Sequence, residues 1–220
     1  PYRPTPLYYK VEGKKYFNER PISTQQSSFS FVSQMRSWLP REVGGCFWFG
    51  NDDANMVSYV PVYCSMTRLP ECFNAPGADE VTFSDKSAYW ICNWVSNMVY
   101  PRYTALFPDL KVVRDSLQHA YLAQQSEIEA KATTMSSAER QQFLNDYSIR
   151  QAQGLLDRWK QLAVFLIVRH NDMAVKPVDE QGRFVRGKHG LGATVQRPGY
   201  PQPFAKRLVK ETQERYVIPE

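Results

Sequence analysis

The stretch from Ser23 to Cys72, STQQSSFSFVSQMRSWLPREVGGCFWFGNDDANMVSYVPVYCSMTRLPEC, constrains the chain most: three apolar runs are joined by short polar turns. In Ser28–Arg36, Phe29, Phe31, Ser33 and Met35 alternate with Ser28, Ser30, Val32, Gln34 and Arg36, the pattern of a strand with one buried face. Val43–Gly50 is apolar on both faces, which predicts a central strand. Asn51–Asn55 is a turn by composition, because Asn and Asp tolerate left-handed backbone and bond locally. Met56–Tyr63 then returns antiparallel to the second strand, with Pro61 marking an edge or a bulge. The unusual polar residues gather at the strand ends, so a working surface is expected along the rim of this sheet.

The flanks are different in kind. Leu7–Val11 and Lys14–Phe17 read as a small hairpin around Glu12-Gly13. Downstream, Ser84 caps a helix to Tyr100, with Trp90 and Trp94 expected in the core. A second helix spans Pro108–Thr133, its stripe formed by Leu110, Val113, Leu117, Tyr121, Gln124 and Ile128. Ser136 with Glu139 makes a capping box for a third helix running to about His170, striped by Leu144, Tyr147, Gln151, Leu155, Leu162 and Phe165/Leu166. Two long helices joined by a short loop predict an antiparallel hairpin. An irregular Gly/Pro-rich tail follows, closed by a short helix at Phe204–Tyr216. The fold class is α+β in one unit: a β-rich segment over 1–83, a helical segment over 84–171 and a tail over 172–220.

With 220 residues, 43% hydrophobic and 14% aromatic, the chain has ample material for a packed core. The charge of +5 is spread out, and no nucleic-acid module accompanies it. The longest apolar run, Leu162–Val168, falls far short of the ~20 residues that span a bilayer. Cys46, Cys64, Cys72 and Cys92 form no CxxC, and His119, His170 and His189 are not at zinc-ligand spacing from them, so neither a metal nor another cofactor is expected. A Cys64–Cys72 disulfide and free buried thiols are both open, the second being preferred. RGKHGLG, near the C-terminus, lacks the order of a phosphate-binding loop.

A nucleophile is hard to find. No GxSxG elbow is present, and the Asp52-Asp53 pair is explained by its turn. What remains is a set of amide and guanidinium donors near strand ends: Arg20, Gln25, Gln26, Arg36, Asn51 and Asn55. Such groups bind a carboxylate or stabilise an oxyanion, but they do not attack.

The succession NERPISTQQSSFSFVSQMRSWLP, GGCFWFG, YVPVYCSMTRLPECF and SAYWICNWVSNMVYPRY resembles the C-terminal portion of cysteine dipeptidases of the dipeptidase A type, which are N-terminal-nucleophile (Ntn) hydrolases. KVVRDSLQHAYLAQQSEIEAKA and the helix ending LAVFLIVRHND extend the likeness from about Tyr2 to Tyr216. The resemblance implies part of an αββα sandwich of two antiparallel sheets between helical layers. It also implies a cysteine nucleophile at the mature N-terminus, its own α-amine serving as base. This chain begins Pro-Tyr-Arg and its cysteines are internal, so the nucleophile is expected in an N-terminal portion outside it. The family pattern of an Arg, a Thr and a Ser-rich strand ending in Gln-x-Arg matches Arg20, Thr24, Ser27 and Arg36. Arg20 is preferred over Arg36 as the group orienting substrate or oxyanion, while Thr24, Gln25, Ser27, Asn51 and Asn55 are expected around the substrate. The function so implied is hydrolysis of short peptides, with the chain alone inactive and completed by the missing portion. Partners of nucleic-acid or membrane type are not expected. An acyl-amide hydrolase on the same fold and a non-catalytic binding module are the alternatives, and homo-oligomerisation and compartment are left open.

Overall fold

The computed structural model describes residues 6–190, 192 and 195–218. The first residues of the proline-rich lead-in, including Pro1 and Pro4, and Leu191 of RGKHGLG lie outside them. The chain divides into two compact units, Pro1–Val164 and Phe165–Glu220.

The first unit is built on β1 (Tyr8–Val11), β2 (Lys14–Phe17), β3 (Phe29–Met35), a one-turn helix α1 (Arg41–Gly44), β4 (Gly45–Asn51), β5 (Val60–Tyr63), α2 (Ala88–Val99), α3 (Tyr103–Thr133) and most of α4 (Ser137–His170). β1 and β2 form the expected hairpin, with Gly13 at φ +78° in its turn. β3, β4 and β5 form an antiparallel sheet in that order, β4 central and β5 at the edge where Pro61 lacks a donor. The fold is therefore α+β with antiparallel sheets and long helices.

Four boundaries differ from the sequence expectation, the simplest being α3, which starts at Tyr103 and carries Pro108 inside its first turns instead of at its start. The second strand starts at Gly45, because the N–H groups of Val43 and Gly44 both donate to Pro40 O, at 2.9 and 2.8 Å, closing a helical turn. A Cβ on Gly44 would stand 2.5 Å from Arg36 O, so the close approach of β3 and α1 requires glycine there. The third strand is only Val60–Tyr63. Upstream of it, Tyr59 N–H donates to Gln118 Oε1 (2.7 Å) and Ser58 Oγ to Arg114 O (2.8 Å), so α3 holds that segment in place of the sheet. The first long helix begins at Ala88, its cap being Ser87, whose Oγ accepts from Trp90 N–H at 3.4 Å. Trp94 is largely exposed and Trp90 half-buried, so the expected core tryptophans are replaced by Trp48 and Trp159.

Register places Ser30, Val32 and Gln34 of β3 on the same face as Cys46 and Trp48 of β4 and Tyr63 of β5. α3 packs on this face. Arg36 donates to both carboxylate oxygens of Glu129, at 2.6 and 2.7 Å. Tyr63 OH donates to Glu129 Oε1 at 2.9 Å, and Gln125 Nε2 donates to both Glu129 Oε1 (2.9 Å) and Gln34 Oε1 (2.6 Å). Trp48 Nε1 completes the group by donating to Gln34 Oε1 at 3.2 Å. The other face carries Phe29, Phe31, Phe47 and Phe49, whose rings stack at centroid separations of 4.3–6.5 Å. It lies open: Phe29 is 56% exposed, Phe31 50% and Met35 72%. The expected alternation of β3 is present, but the side that α3 meets is the polar one, around Gln34 and Arg36, while Val32 on that side stays exposed.

The helical hairpin is as expected. Ser136 Oγ donates to Glu139 Oε2 (2.6 Å) and Ser136 N–H to the same oxygen (3.1 Å). α3 and α4 run antiparallel, with Tyr121 OH donating to Gln151 O (3.4 Å) about midway along both and Lys131 over the Phe143 ring near the turn. Leu144, Tyr147, Leu155 and Leu162 are buried as predicted, together with Trp159; Gln124 is exposed, and the buried polar residue of α3 is Glu129. In the second unit, Val175 and Gln196 exchange backbone hydrogen bonds of 2.9 and 3.0 Å, and Phe165 stacks on Phe184. Its helix α5 (Gln202–Thr212) has no buried residue. Among the described residues no helix is long and apolar enough to cross a membrane.

Candidate functional site

The turn after β4 is the most polar interior region of the first unit. Asp52 takes φ +67°, a left-handed conformation that Asp tolerates better than most residues. This bend sends adjacent carboxylates to different partners, and both residues are fully buried. Asp52 accepts from Asn93 Nδ2 (2.8 Å, Oδ1) and Ser96 Oγ (2.6 Å, Oδ2), both on α2. Asp53 accepts from Ser23 Oγ, Tyr100 OH and Asn55 N–H, the last at 2.9 Å. Burial pushes the Asp52 carboxyl above its ordinary pKa, against the lowering effect of Ser96 and Asn93. The Tyr100 phenol is pushed up by burial and then by its hydrogen bond to Asp53.

Asn93 and Ser96 of α2 and Tyr100, the residue that follows its end and keeps helical backbone, fall at i, i+3 and i+7 and so share one face. The spacing of that polar stripe is present in the sequence, but nothing local distinguishes it, or Ser23, from ordinary solvent-facing polar residues. Ser23 Oγ both serves Asp53 and accepts from Asn55 N–H at 2.9 Å, so it ties the loop before β3 to the turn after β4.

The sequence-predicted site residues divide into three groups. Asn51 and Asn55 belong to this turn. Asn55 is fully engaged: its Nδ2 donates to Tyr103 OH (2.9 Å), while Arg114 Nη1 donates to its O (2.6 Å) and Oδ1 (3.2 Å). Asn51 sits at the end of β4 on the phenylalanine face, opposite Phe29; it is buried, and its Oδ1 has no hydrogen-bond partner among the described residues. Thr24, Gln25 and Ser27 form a local turn next to Ser23. There, Ser27 N–H donates to Thr24 O (3.0 Å), and Thr24 Oγ1 donates to Gln25 Oε1 (3.3 Å) and to Gln26. The two arginines are apart from both: Arg20 is exposed on the lead-in, and Arg36 is committed to Glu129 and to Val43 O (3.1 Å) under the sheet.

All four cysteines are free. Burial raises the Cys46 thiol to about 12 and the Cys72 thiol to about 11, and pushes Cys92 well above its ordinary value. These are packing residues, since the thiolate is the nucleophile. Cys64 is exposed, contrary to the expectation of a buried thiol, because it follows the edge strand. A concavity of about 380 Å³ opens beside the turn, lined by Ser28, Phe73, Asp79, Glu80, Tyr89 and Trp90 among others; Phe73 also meets Phe49 at 5.1 Å.

Residues 3–115 match the family model of peptidase family C69. The chain belongs to peptidase family C69. The likeness to cysteine dipeptidases of the dipeptidase A type, drawn above from motifs over nearly the whole chain, is thereby borne out over its first half. The C69 match includes every member of the turn cluster, from Ser23 to Tyr100 and Arg114, and ends within α3 before Glu129. A search of curated proteins finds no match to the chain.

Proposed function

We propose that this chain is the C-terminal portion of a C69 dipeptidase of αββα architecture, in which a cysteine outside the chain attacks the peptide bond and the end of β4 forms the receiving wall. The observation that carries the reading is Asn51: a side-chain carbonyl oxygen, buried at the rim of the open face without a donor, next to a turn braced by Asp52 and Asp53. A buried acceptor left unpaired costs about 1–3 kcal/mol, so a donor from substrate or from the rest of the protein is expected to complete it. The open phenylalanine face supports the architecture. A sheet with helices on one face and stacked aromatic side chains on the other is one half of a two-sheet sandwich, the second sheet covering Phe29, Phe31, Phe47 and Phe49. The state of the cysteines supports an external nucleophile, because three are buried with raised pKa values.

In this reading Arg36 positions β3 through Glu129, and Arg20 is free to move toward substrate when the open face is covered. Thr24, Gln25 and Ser27 flank the same rim. The test is turnover of a panel of dipeptides and N-acyl amides by the chain alone and by the chain co-expressed with the upstream portion of its protein. The expected result is no turnover alone, dipeptide turnover on completion, and little activity toward the acylated compounds. Full dipeptide turnover by the isolated chain after replacement of all four cysteines refutes the proposal.

A further inference from the structure

The pocket beside the turn is aromatic and acidic at once. Phe73, Tyr89 and Trp90 supply rings to its lining, Asp79 and Glu80 supply carboxylates, and no cationic side chain is among the described residues that line it. Its geometry is braced. Trp90 Nε1 donates to Asp79 O at 3.0 Å, fastening the 79–82 loop to the first turn of α2 and orienting the indole. Asp79 Oδ1 is occupied by Val81 N–H at 2.9 Å, so that carboxylate shapes the loop. Glu80, next in the same loop, is exposed and makes no hydrogen bond or ion pair among the described residues. The field inside is negative: the Tyr89 phenol is pushed up first by burial and then by the charges of Asp52 and Glu80.

Trp90 also walls a second concavity of about 470 Å³, with Phe83, Trp94, Asn93 and Asn97. Phe83 meets Trp94 edge-on at 6.2 Å and Trp90 at 5.9 Å. Asn93 in turn donates to Asp52, so one wall of this second hollow is held by the turn cluster. A free carboxylate that lines one pocket with aromatic rings selects a compact cation, and an aromatic hollow with two amides selects an apolar group that carries polar ends.

We propose that the Glu80–Tyr89–Trp90 pocket binds the protonated α-amine of a short peptide, and that the Phe83–Trp94 hollow takes the apolar side chain of the same N-terminal residue. The choice of a peptide amine as the cation rests on the peptidase reading above. The pocket then makes the family's reaction selective for free amino termini, and Glu80 is a specificity-determining residue.

Isothermal titration of the chain with L-phenylalaninamide at pH 6.5, where its amine is protonated, and with N-acetyl-L-phenylalaninamide tests this. The expected result is binding of the amine at least ~10-fold tighter than of the acetylated compound, with the preference abolished in Glu80→Gln. Glu80 is exposed and unbonded, so the variant leaves the fold intact. Equal affinity for the two probes, or a preference unchanged in Glu80→Gln, overturns the inference. Dipeptide kinetics of the completed protein separate it from the functional reading. Amine-selective binding without any turnover refutes only the peptidase assignment, and turnover with KM unchanged in Glu80→Gln overturns only the amine pocket.

Discussion

Asp52→Asn and Asp52→Ala separate the two things the buried carboxylate does: fill a hydrogen-bonding position and carry a charge. Asn keeps the shape and is at home at φ +67°. Its carbonyl can accept from Asn93 Nδ2, and its amide can donate to Ser96 Oγ, whose own hydrogen already has a second acceptor in Asn93 O at 3.1 Å. Ala leaves the Asn93 Nδ2 donor unpaired and returns Ser96 Oγ to the longer bond to Asn93 O, together about 1–3 kcal/mol, and places a side chain without local bonding in the left-handed region, roughly 1–2 kcal/mol more. Asp52→Ala is therefore expected to be less stable by about 3 kcal/mol at pH 7, and Asp52→Asn to be close to or above the parent.

The pH dependence has the opposite sign from that of an ordinary paired carboxylate. Burial raises the folded-state pKa of Asp52 above the unfolded value of about 3.9. Its contribution is thus fully present below that value and is lost as pH rises through the folded pKa, at up to about 1.4 kcal/mol per pH unit. Urea unfolding between pH 4 and 8, followed by tryptophan fluorescence, is expected to show the Asp52→Asn variant gaining on the parent as pH rises. Carboxylates held low, such as that of half-buried Glu42, which sits at about 2 beside Ser137 and Arg140, are common to both proteins and cancel in the difference. A constant difference across the range, or Asn as damaging as Ala, would refute the placement of Asp52 as a buried acid held by neutral donors.

Other consequences are simpler to measure. Glu129→Ala strands the Arg36 guanidinium and the Tyr63 hydroxyl and is expected to cost about 3–5 kcal/mol in chemical denaturation. Gly44→Ala drives a methyl group to within 2.5 Å of Arg36 O and is expected to lower stability by about 1–3 kcal/mol, read as a shift in the denaturation midpoint at constant slope. In native protein at pH 8 a thiol reagent should modify Cys64 rapidly and the three buried cysteines only after unfolding. Ser136→Ala is expected to cost about 1 kcal/mol through loss of the capping box, with Glu139→Gln costing less.

Much of this protein follows from local pattern. The turn at Gly13, the capping box at Ser136 and Glu139 and the stripe from Leu144 to Leu162 depend on residues within a few positions of one another, and the three successive strands on short polar turns between them, so all can be read before the chain folds. The polar stripe Asn93, Ser96 and Tyr100 was equally local, but its meaning required knowing what it faces. Tertiary structure decided the rest. Period-two alternation fixes which residues of β3 share a face, not which face the helices cover, and here they cover Gln34 and Arg36 because Gln125 and Glu129 meet them there. Asp52 and Asp53 read as turn residues because the side chains that donate to them, Asn93 and Ser96 to Asp52 and Ser23 and Tyr100 to Asp53, lie 30 or more positions away in sequence. A carboxylate is buried or exposed according to whether such donors arrive, and only the folded chain brings them.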